Sequence, residues 1–257
     1  MSCNVGILGF GNVGSYVYSH VKEHATAQVA FVFDLCIDRV RPMPLESVAQ
    51  MDEAALREVF LVVETAEPHA VKTYGPDIVK RAHFLISSLS ALADESLFEE
   101  LSTIARRSGT HLFVPHGAVL GLDGIRDGRH LIESIMVTTV KNPKNLAVEG
   151  LKTISGPTVL FEGSTREACR RFPRNVNVHA SVALAGLGFD KTVSKIVADP
   201  GVNTMSHEIH VQGRGLRWKI EVQSSPVGAV TGMYTPESIY QSVARVCDGD
   251  KSVFQVV

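Results

Sequence analysis

The chain has 257 residues, 45% of them hydrophobic and 20% charged, a composition that excludes disordered, collagen-like and coiled-coil proteins. Its 25 Lys and Arg residues against 27 Asp and Glu residues give a formal charge of −2, and the basic residues are scattered, so we expect no nucleic-acid or membrane partner. Four widely spaced cysteines, no signal-peptide pattern and no apolar run of about 18 residues predict a cytoplasmic protein without a disulfide framework.

Short apolar runs alternate with helical patterns from Asn4 to about Pro115. The strand patterns are VGILGF, VAFVF, LVV, FLIS and HLFV, which begin at Val5, Val29, Leu61, Phe84 and His111. Between the last two, the apolar residues of Glu95 to Arg107 have helical spacing, and Gly109 is a typical helix C-cap. Repeated strand–helix–strand order predicts a doubly wound parallel sheet, an α/β domain over residues 1–115.

A glycine-rich turn follows the first strand. Its glycines have the G-x-G-x-x-G spacing, in which the first permits a tight turn, the second admits a pyrophosphate and the third allows close packing of helix on strand. A helix is predicted from about Asn12 to His20. The expected cofactor contacts in this turn are Gly9, Gly11, Asn12, Val13 and Gly14. An ordinary strand-to-helix turn is the alternative.

Asp34 ends the second strand twenty residues after Gly14, where a carboxylate binds the ribose hydroxyls of a dinucleotide. A carboxylate there repels a 2′-phosphate, so we expect NAD, and the nearby Arg39 leaves NADP use open. The turns at Thr65–Pro68, Ser87–Asp94 and Pro115–Asp123 are expected to border the nicotinamide half, because ligands bind at the carboxyl ends of parallel strands.

The pattern changes after Pro115. Apolar and polar residues alternate from Leu216 to Gln223, and further strands are expected from Ile132 and from His207, which predicts a smaller α+β domain over residues 116–232 with a largely antiparallel sheet. The tail 233–257 contains a helical pattern with Thr235 as its expected cap, and we expect this helix to complete the first domain.

Histidine is the obvious candidate for proton transfer, since its reference pKa of ~6.5 lies near neutral pH. Strand periodicity puts His207 on the apolar face with Ile209 and Val211, where it is either a core residue or a site residue. His210 points to the opposite face, so the two histidines cannot share a metal ion, and no metal site is expected. Asn175 and Asn177 are expected either to cap the following helix or to bind a carboxamide.

Several blocks together resemble the L-aspartate dehydrogenase family. They are GILGFGNVG with Asp34, SALAD, PHGAVLGLD, FEGSTREACRRFPRNVNV, ALAGLGFD, VADP and the later His-Glu-Ile strand, and they span nearly the whole chain in order. The ending, PVGAVTG and a helix, resembles most the animal members, the aspartate dehydrogenase domain-containing proteins.

This resemblance implies a Rossmann domain and an α+β domain used for catalysis and dimerisation. It implies oxidation of L-aspartate with NAD or NADP through iminoaspartate to oxaloacetate and ammonia, the reverse reaction, or supply of the imine to NAD biosynthesis. By the same resemblance, His207 is the catalytic residue, and Ala118 and Asn177 are cofactor contacts.

Two positions depart from the family pattern. His116 stands where the family usually has Ser, and His179 where it usually has Ala, so both are candidate substrate contacts. Lys141 and Lys191 are further candidates, because two substrate carboxylates need cationic partners. A dehydrogenase or reductase for another small amino or imino acid, and a non-enzymatic NAD(P)-binding sensor, remain alternatives.

Overall fold

The structure is a computed structural model that describes residues 2–40, 47–146, 148, 154–227 and 231–249. The middle of the PVGAVTG block, residues 228–230, and the end of the tail, residues 250–257, lie outside the described residues. The chain folds into two compact units. Unit 1 comprises Met1–Ser87, Glu99–Pro115 and Pro236–Val257, and unit 2 comprises Ser88–Phe98 and His116–Thr235. The domain boundaries expected from the sequence stay a prediction.

The described residues form strands and helices in the following chain order. The strands are β1 (Cys3–Leu8), β2 (Ala27–Phe33), β3 (Leu61–Glu64), β4 (His83–Ile86), β5 (Leu112–Phe113), β6 (Ile132–Lys141), β7 (Thr158–Ser164), β8 (Thr192–Ala198), β9 (Met205–Gly213), β10 (Leu216–Ser224), β11 (Pro226–Val227) and β12 (Thr231–Gly232). The helices are α1 (Asn12–Glu23), α2 (Ile37–Val40), α3 (Pro68–Val79), α4 (Glu95–Ser108), α5 (Leu122–Gly128), α6 (Thr165–Arg171), α7 (Asn177–Ala185) and α8 (Tyr234–Asp248).

Unit 1 is built on a five-stranded parallel sheet with the order β2-β1-β3-β4-β5. The apolar runs expected to form strands all lie in this sheet, which confirms the predicted doubly wound fold. Strand order reverses between β1 and β3, so the loops after these two strands border the crevice where ligands of such sheets bind.

The last helix, α8, completes the core of unit 1. Ile239 and Val243 are buried against Val17 and Val21 of α1 and the strands of the parallel sheet. A disulfide also joins Cys3 of β1 to Cys247 of α8, with 5.4 Å between their Cα atoms. The sequence did not indicate this bridge, because a separation of 244 residues carries no information about distance in the fold. In the structure, the described part of the tail helix packs on the core of unit 1.

Unit 2 contains a five-stranded mixed sheet with the order β10-β9-β6-β8-β7. Three of its neighbouring pairs are antiparallel, while β6 and β8 are parallel. Apolar residues of α5 and α7 cover one face, where Ile125 and Val182 pack with Val137 and Ile209 of the sheet. The α+β character predicted for this half is therefore confirmed.

The prediction that Thr235 caps the last helix was wrong, and of the two alternatives for Asn175 and Asn177 the structure does not show capping. The structure starts α8 at Tyr234, so Thr235 lies inside the helix instead of capping it. Val176 is the N-cap of α7 and no side chain caps it, because the carboxamide of Asn177 binds elsewhere in unit 2. Among the described residues, no helix is both long and apolar enough to cross a bilayer.

Candidate active site

The glycine turn between β1 and α1 has the backbone that its sequence requires. Gly9 has φ = 95°, a left-handed conformation, and a Cβ there would lie 2.7 Å from the Cα of Ala66. A Cβ on Gly14 would lie 2.0 Å from the carbonyl oxygen of Gly9. The first and third glycines are thus required by the protein's own packing, as expected for the tight turn and the close helix–strand contact.

Gly11 differs from the other two glycines, since a Cβ there would meet no atom within 4 Å. Gly11 is also the N-cap of α1, whose first turn contains no acidic residue. Open space above a helix N-terminus without a carboxylate suits a pyrophosphate, which accepts hydrogen bonds from backbone N–H groups. The residues of this turn therefore fit a dinucleotide.

Asp34 follows β2 and faces the same turn. Its carboxylate accepts hydrogen bonds from the backbone N–H of Phe10 (2.6 Å) and of Cys36 (2.7 Å), and its side chain is only 8% exposed. The guanidinium of Arg39 lies 3.5 Å from the Asp34 carboxylate and is more than half exposed. Asp34 thus stabilises the turn, and an exposed cation lies beside the carboxylate expected to bind a ribose.

The turn after β3 connects the ends of three parallel strands. Glu64 is completely buried, and its carboxylate accepts hydrogen bonds from Ala66 N (2.8 Å) and Ser87 N (3.1 Å). The hydroxyl of Thr65 donates to the carbonyl of Gly9 at 2.8 Å. These bonds connect the loops after β3 and β4 with each other and with the glycine turn.

In unit 2, three strands and one helix bring polar side chains together inside the core. His207 lies on β9 opposite Thr139 of β6, His179 lies on α7 and Ser194 on β8. All four are buried, with His207 at 5% exposure and the other three at 0%. His207 shares its face of β9 with buried Ile209 and Val211, while Glu208 and His210 lie on the other face, as the strand periodicity predicted.

Direct hydrogen bonds join these side chains into one chain. Thr139 Oγ1 lies 2.8 Å from His207 Nδ1 and 2.7 Å from His179 Nε2. The other nitrogen of His179, Nδ1, lies 2.9 Å from Ser194 Oγ. Ser194 Oγ lies 2.8 Å from the hydroxyl of Thr165, which donates to the carbonyl of Thr192 at 2.9 Å.

The buried cluster keeps its imidazoles neutral. Burial, followed by the positive charge of Lys141 and then His179, holds the pKa of His207 well below its ordinary value of 6.5. Burial and Lys141 lower the pKa of His179 to about 3. Burial also lowers the pKa of Lys141, at the end of β6, to about 8. At neutral pH, His207 is therefore a neutral base rather than an imidazolium.

Four predicted site residues of unit 2 lie outside this hydrogen-bond chain, whereas His179 belongs to it. Ala118 packs against the apolar core of the unit, and Asn177 Oδ1 accepts the backbone N–H of Ser90 at 3.1 Å. His116 is partly exposed in the loop before α5, and Lys191 is exposed just before β8. His179 has no exposed surface and both its nitrogens are engaged, so this geometry does not favour direct contact between His179 and a substrate.

Sequence reasoning missed Thr139, Ser194 and Thr165, the hydroxyl members of the chain. A weak signal was available, because Thr139 occupies a buried position in a strand whose other buried residues include Ile135 and Val137. The neighbours of Thr139 depend on the pairing of β6 with β8 and β9, which periodicity within one strand does not reveal.

Two family models match the chain. The model described as homoserine dehydrogenase, NAD binding domain, matches residues 9–115, which include the glycine turn and Asp34. The model described as aspartate dehydrogenase, C-terminal, matches residues 123–246, which include the whole buried polar chain around His207.

Curated relatives match over most of their length. The chain is 33% identical to an L-aspartate dehydrogenase of Thermotoga maritima over 244 residues, covering 93% of this chain and 95% of the relative. It is 38% identical to an L-aspartate dehydrogenase of Methanosarcina mazei over 243 residues, covering 86% and 88% of the two chains.

Solved structures give the same relationship. The crystal structure of aspartate dehydrogenase from Thermotoga maritima matches with a TM-score of 0.79 and 27% identity, covering both chains completely. A myo-inositol dehydrogenase from Corynebacterium glutamicum, with a TM-score of 0.52 and 10% identity, covers 96% of this chain and 88% of its own, and it shares the fold alone. The resemblance inferred from the sequence blocks is confirmed, and the chain belongs to the L-aspartate dehydrogenase family.

Proposed function

We propose that the protein oxidises L-aspartate with NAD(P) and water to oxaloacetate, ammonia and NAD(P)H, through iminoaspartate. Membership of the L-aspartate dehydrogenase family makes it an NAD(P)-dependent amino-acid dehydrogenase. The observation that carries the proposal is the neutral, buried His207 within the part of the chain matched by the aspartate dehydrogenase model.

The cofactor contacts are proposed from the geometry of the turns. Backbone N–H groups of Gly11, Asn12, Val13 and Gly14 would bind the pyrophosphate, and Asp34 would bind the adenosine ribose. Ala118 and Asn177 would contact the nicotinamide end, as the family resemblance implies. When bound, NAD(P) supplies the acceptor for the hydride that leaves the substrate Cα.

His207 would handle the proton that accompanies the hydride. Its neutral imidazole can accept a proton from the substrate ammonium, which makes the amine able to form the imine, or from the water that attacks the imine. Within the described part of the chain, no hydrogen bond engages the Nε2 atom of His207, whereas Nδ1 is bonded to Thr139. Nε2 is therefore the atom we assign to proton transfer.

The two substrate carboxylates would require cations or several donors. Lys141 is the strongest candidate for this role, since its charge lies close enough to His207 and His179 to lower both their pKa values. His116 and Lys191 stay further proposals for substrate contact. Because His116 departs from the family residue, other small amino acids must be tested as substrates beside L-aspartate.

The central experiment compares His207→Ala with His210→Ala. Positioned acid–base groups contribute about 10²–10⁴-fold, so we expect kcat with L-aspartate to fall by that factor in His207→Ala while the Kd of NADH stays constant. His210 lies on the same strand but faces outward, so its variant should retain full activity. Undiminished turnover in His207→Ala would remove this residue from the mechanism.

Reduced-nicotinamide absorbance with NAD or NADP and a panel of amino acids tests the substrate. Turnover of L-aspartate above all others supports the proposal. Faster turnover of another amino acid would favour the alternative dehydrogenase, and cofactor binding without any turnover would favour a sensor.

We also propose that the protein is a cytoplasmic homodimer with a role in amino-acid metabolism and NAD biosynthesis. The resemblance to a family whose α+β domain dimerises supports the dimer, and the L-aspartate dehydrogenases that the chain matches support the metabolic role. Light scattering of the purified chain would test the dimer directly.

A further inference from the structure

The chain of buried hydrogen bonds that ends at His207 has a defined order of donors and acceptors, which is set at its other end. Thr192 contributes a backbone carbonyl, which can only accept, so the hydroxyl hydrogen of Thr165 points to that oxygen at 2.9 Å. A hydroxyl has a single hydrogen, so the 2.8 Å contact between Thr165 and Ser194 must use the Ser194 hydrogen. Ser194 therefore donates to Thr165.

The orientation of Ser194 determines which nitrogen of His179 carries the proton. Since the Ser194 hydrogen is directed to Thr165, its oxygen must accept from His179 Nδ1 at 2.9 Å. His179 is neutral, as its burial requires, so a proton on Nδ1 leaves Nε2 as an acceptor. His179 Nε2 then accepts the hydroxyl hydrogen of Thr139 at 2.7 Å.

Thr139 also has a single hydroxyl hydrogen and can donate only one hydrogen bond. Its hydrogen is used toward His179, so its oxygen must accept from His207 at 2.8 Å, and the donor is the Nδ1–H group. A neutral imidazole with a proton on Nδ1 has its lone pair on Nε2. The hydrogen-bond chain thus specifies the form of His207 that can accept a proton at Nε2.

We propose that His179, Ser194 and Thr165 are positioning residues, which hold His207 in the Nδ1–H tautomer through Thr139 and so present a basic Nε2 to the substrate. This inference rests on the proposed role of His207 in proton transfer. It gives His179 a function behind the reacting group, consistent with its complete burial.

The opposite order of hydrogens is also continuous, but it contains one bond fewer. If Thr165 donated to Ser194, every proton would shift along the chain, His207 would carry its proton on Nε2, and the Thr192 carbonyl would lose the Thr165 hydrogen. One buried hydrogen bond therefore selects the order, and its net contribution corresponds to a preference of about tenfold.

Thr165→Val tests the inference at a residue four hydrogen bonds away from His207. The isosteric valine removes both the bond to the Thr192 carbonyl and the acceptor of the Ser194 hydrogen. The two orders then contain the same three hydrogen bonds, so the preference for the Nδ1–H form of His207 is lost. Thr165→Ser keeps the hydroxyl and should behave as the unaltered protein. Ser181→Ala is the matched control. Ser181 is a buried serine of α7 whose hydroxyl donates to the carbonyl of Val178, so it takes no part in the hydrogen-bond chain of His207.

The primary measurement is the 15N spectrum of the full chain labelled at histidine, since protonated and unprotonated ring nitrogens have well-separated shifts. Signals of His207 are assigned by their loss in His207→Gln. We expect the Nδ1–H form in the unaltered protein, in Thr165→Ser and in Ser181→Ala, and a mixture with a substantial Nε2–H fraction in Thr165→Val. The Kd of NADH and the thermal midpoint of each variant confirm that it is folded.

Kinetics provide the second readout. In Thr165→Val we expect kcat to fall about twofold with an unchanged KM for the amino acid, because the loss of a tenfold preference leaves about half of the molecules with a basic Nε2. An Nε2–H form of His207 in the unaltered protein would overturn the inference, and so would a Thr165→Val spectrum identical to it. Failure of the proposed function is a separate result, namely full turnover in His207→Ala whatever the tautomer.

Discussion

Lys141 is a charged residue whose environment differs strongly between the folded and unfolded chain. It is 3% exposed at the end of β6, and burial lowers its pKa from 10.5 to about 8. Burial disfavours the ammonium form, so the folded protein binds this proton more weakly than the unfolded chain does. Between about pH 8 and 10.5 the unfolded state holds more protons, and stability therefore rises with pH across that window.

Lys141→Met should abolish this pH dependence. Below about pH 8 the lysine is charged in both states and the destabilisation is fully present, whereas near pH 10 most of it is gone. We expect the free energy of unfolding of the unaltered protein to gain about 2–3 kcal/mol relative to Lys141→Met between pH 7 and pH 10. Urea unfolding of both proteins at several pH values measures the difference, in which the titration of other groups cancels. If the free energies of unfolding of the two proteins changed in parallel with pH, Lys141 would not be a buried group that titrates in this range.

At the level of single residues, the sequence predicted the face on which His207 lies but not what binds it. Periodicity within β9 was enough to place His207 with Ile209 and Val211. Its contact with Thr139 comes from the pairing of β9 with β6, and the contact of Thr139 with His179 comes from the packing of α7. Such contacts depend on register between distant segments, which a pattern in one segment does not contain.

Among the elements, α8 illustrates how a terminal helix becomes part of a distant core. It packs Ile239 and Val243 against α1, and the carboxylate of Glu237 accepts a hydrogen bond from the hydroxyl of Tyr16. That contact lowers the pKa of Glu237 and raises the pKa of Tyr16. The helix therefore contributes apolar packing as well as a polar contact to the unit that carries the glycine turn.

Ile239→Ala should destabilise unit 1 substantially. Ile239 is 2% exposed, and truncation of a buried isoleucine to alanine typically costs about 2–5 kcal/mol through lost burial and the cavity left behind. Gln241→Ala, on the exposed side of the same helix, should change stability by no more than about 0.5 kcal/mol. Thermal and urea unfolding measure both variants. Equal stability of the two would mean that α8 does not pack on the core of unit 1.

Element prediction succeeded where the apolar pattern was strong and failed where it was interrupted. The strands of the parallel sheet are continuous apolar runs, and β10 alternates cleanly, so these were predicted. Strand β8 was missed although its burial alternates regularly, since three of its buried positions are Thr192, Ser194 and Ala198 rather than large apolar residues. The polar residues of β8 that belong to the hydrogen-bond chain of His207 therefore interrupt its apolar pattern, and for this reason the strand was not predicted.

For the molecule as a whole, the Cys3–Cys247 disulfide closes a loop of nearly the entire chain. A cross-link over so long a loop restricts the unfolded state strongly, by about 5 kcal/mol in the chain-entropy description. In a reducing cytoplasm both residues would be thiols, and the stabilisation would be absent.

Oxidised protein should therefore unfold at a higher denaturant concentration than Cys247→Ser, and a reductant should remove the difference. Cys36→Ser is the control, because Cys36 is an exposed free thiol and its loss should leave the oxidised midpoint unchanged. Mass spectrometry of the intact oxidised chain verifies the bridge. If oxidised protein and Cys247→Ser unfold together, the two sulfurs are not joined in solution.

The contribution of α8 to unit 1 also determines when that unit can form during synthesis. Its sheet is encoded before residue 116, yet Ile239 and Val243 belong to its core and are translated only after unit 2. Unit 2 is encoded almost without interruption, so it can fold while the ribosome is still at work. Unit 1 can therefore complete its core only after α8 has been synthesised, and until then the apolar residues that α8 covers stay exposed to solvent.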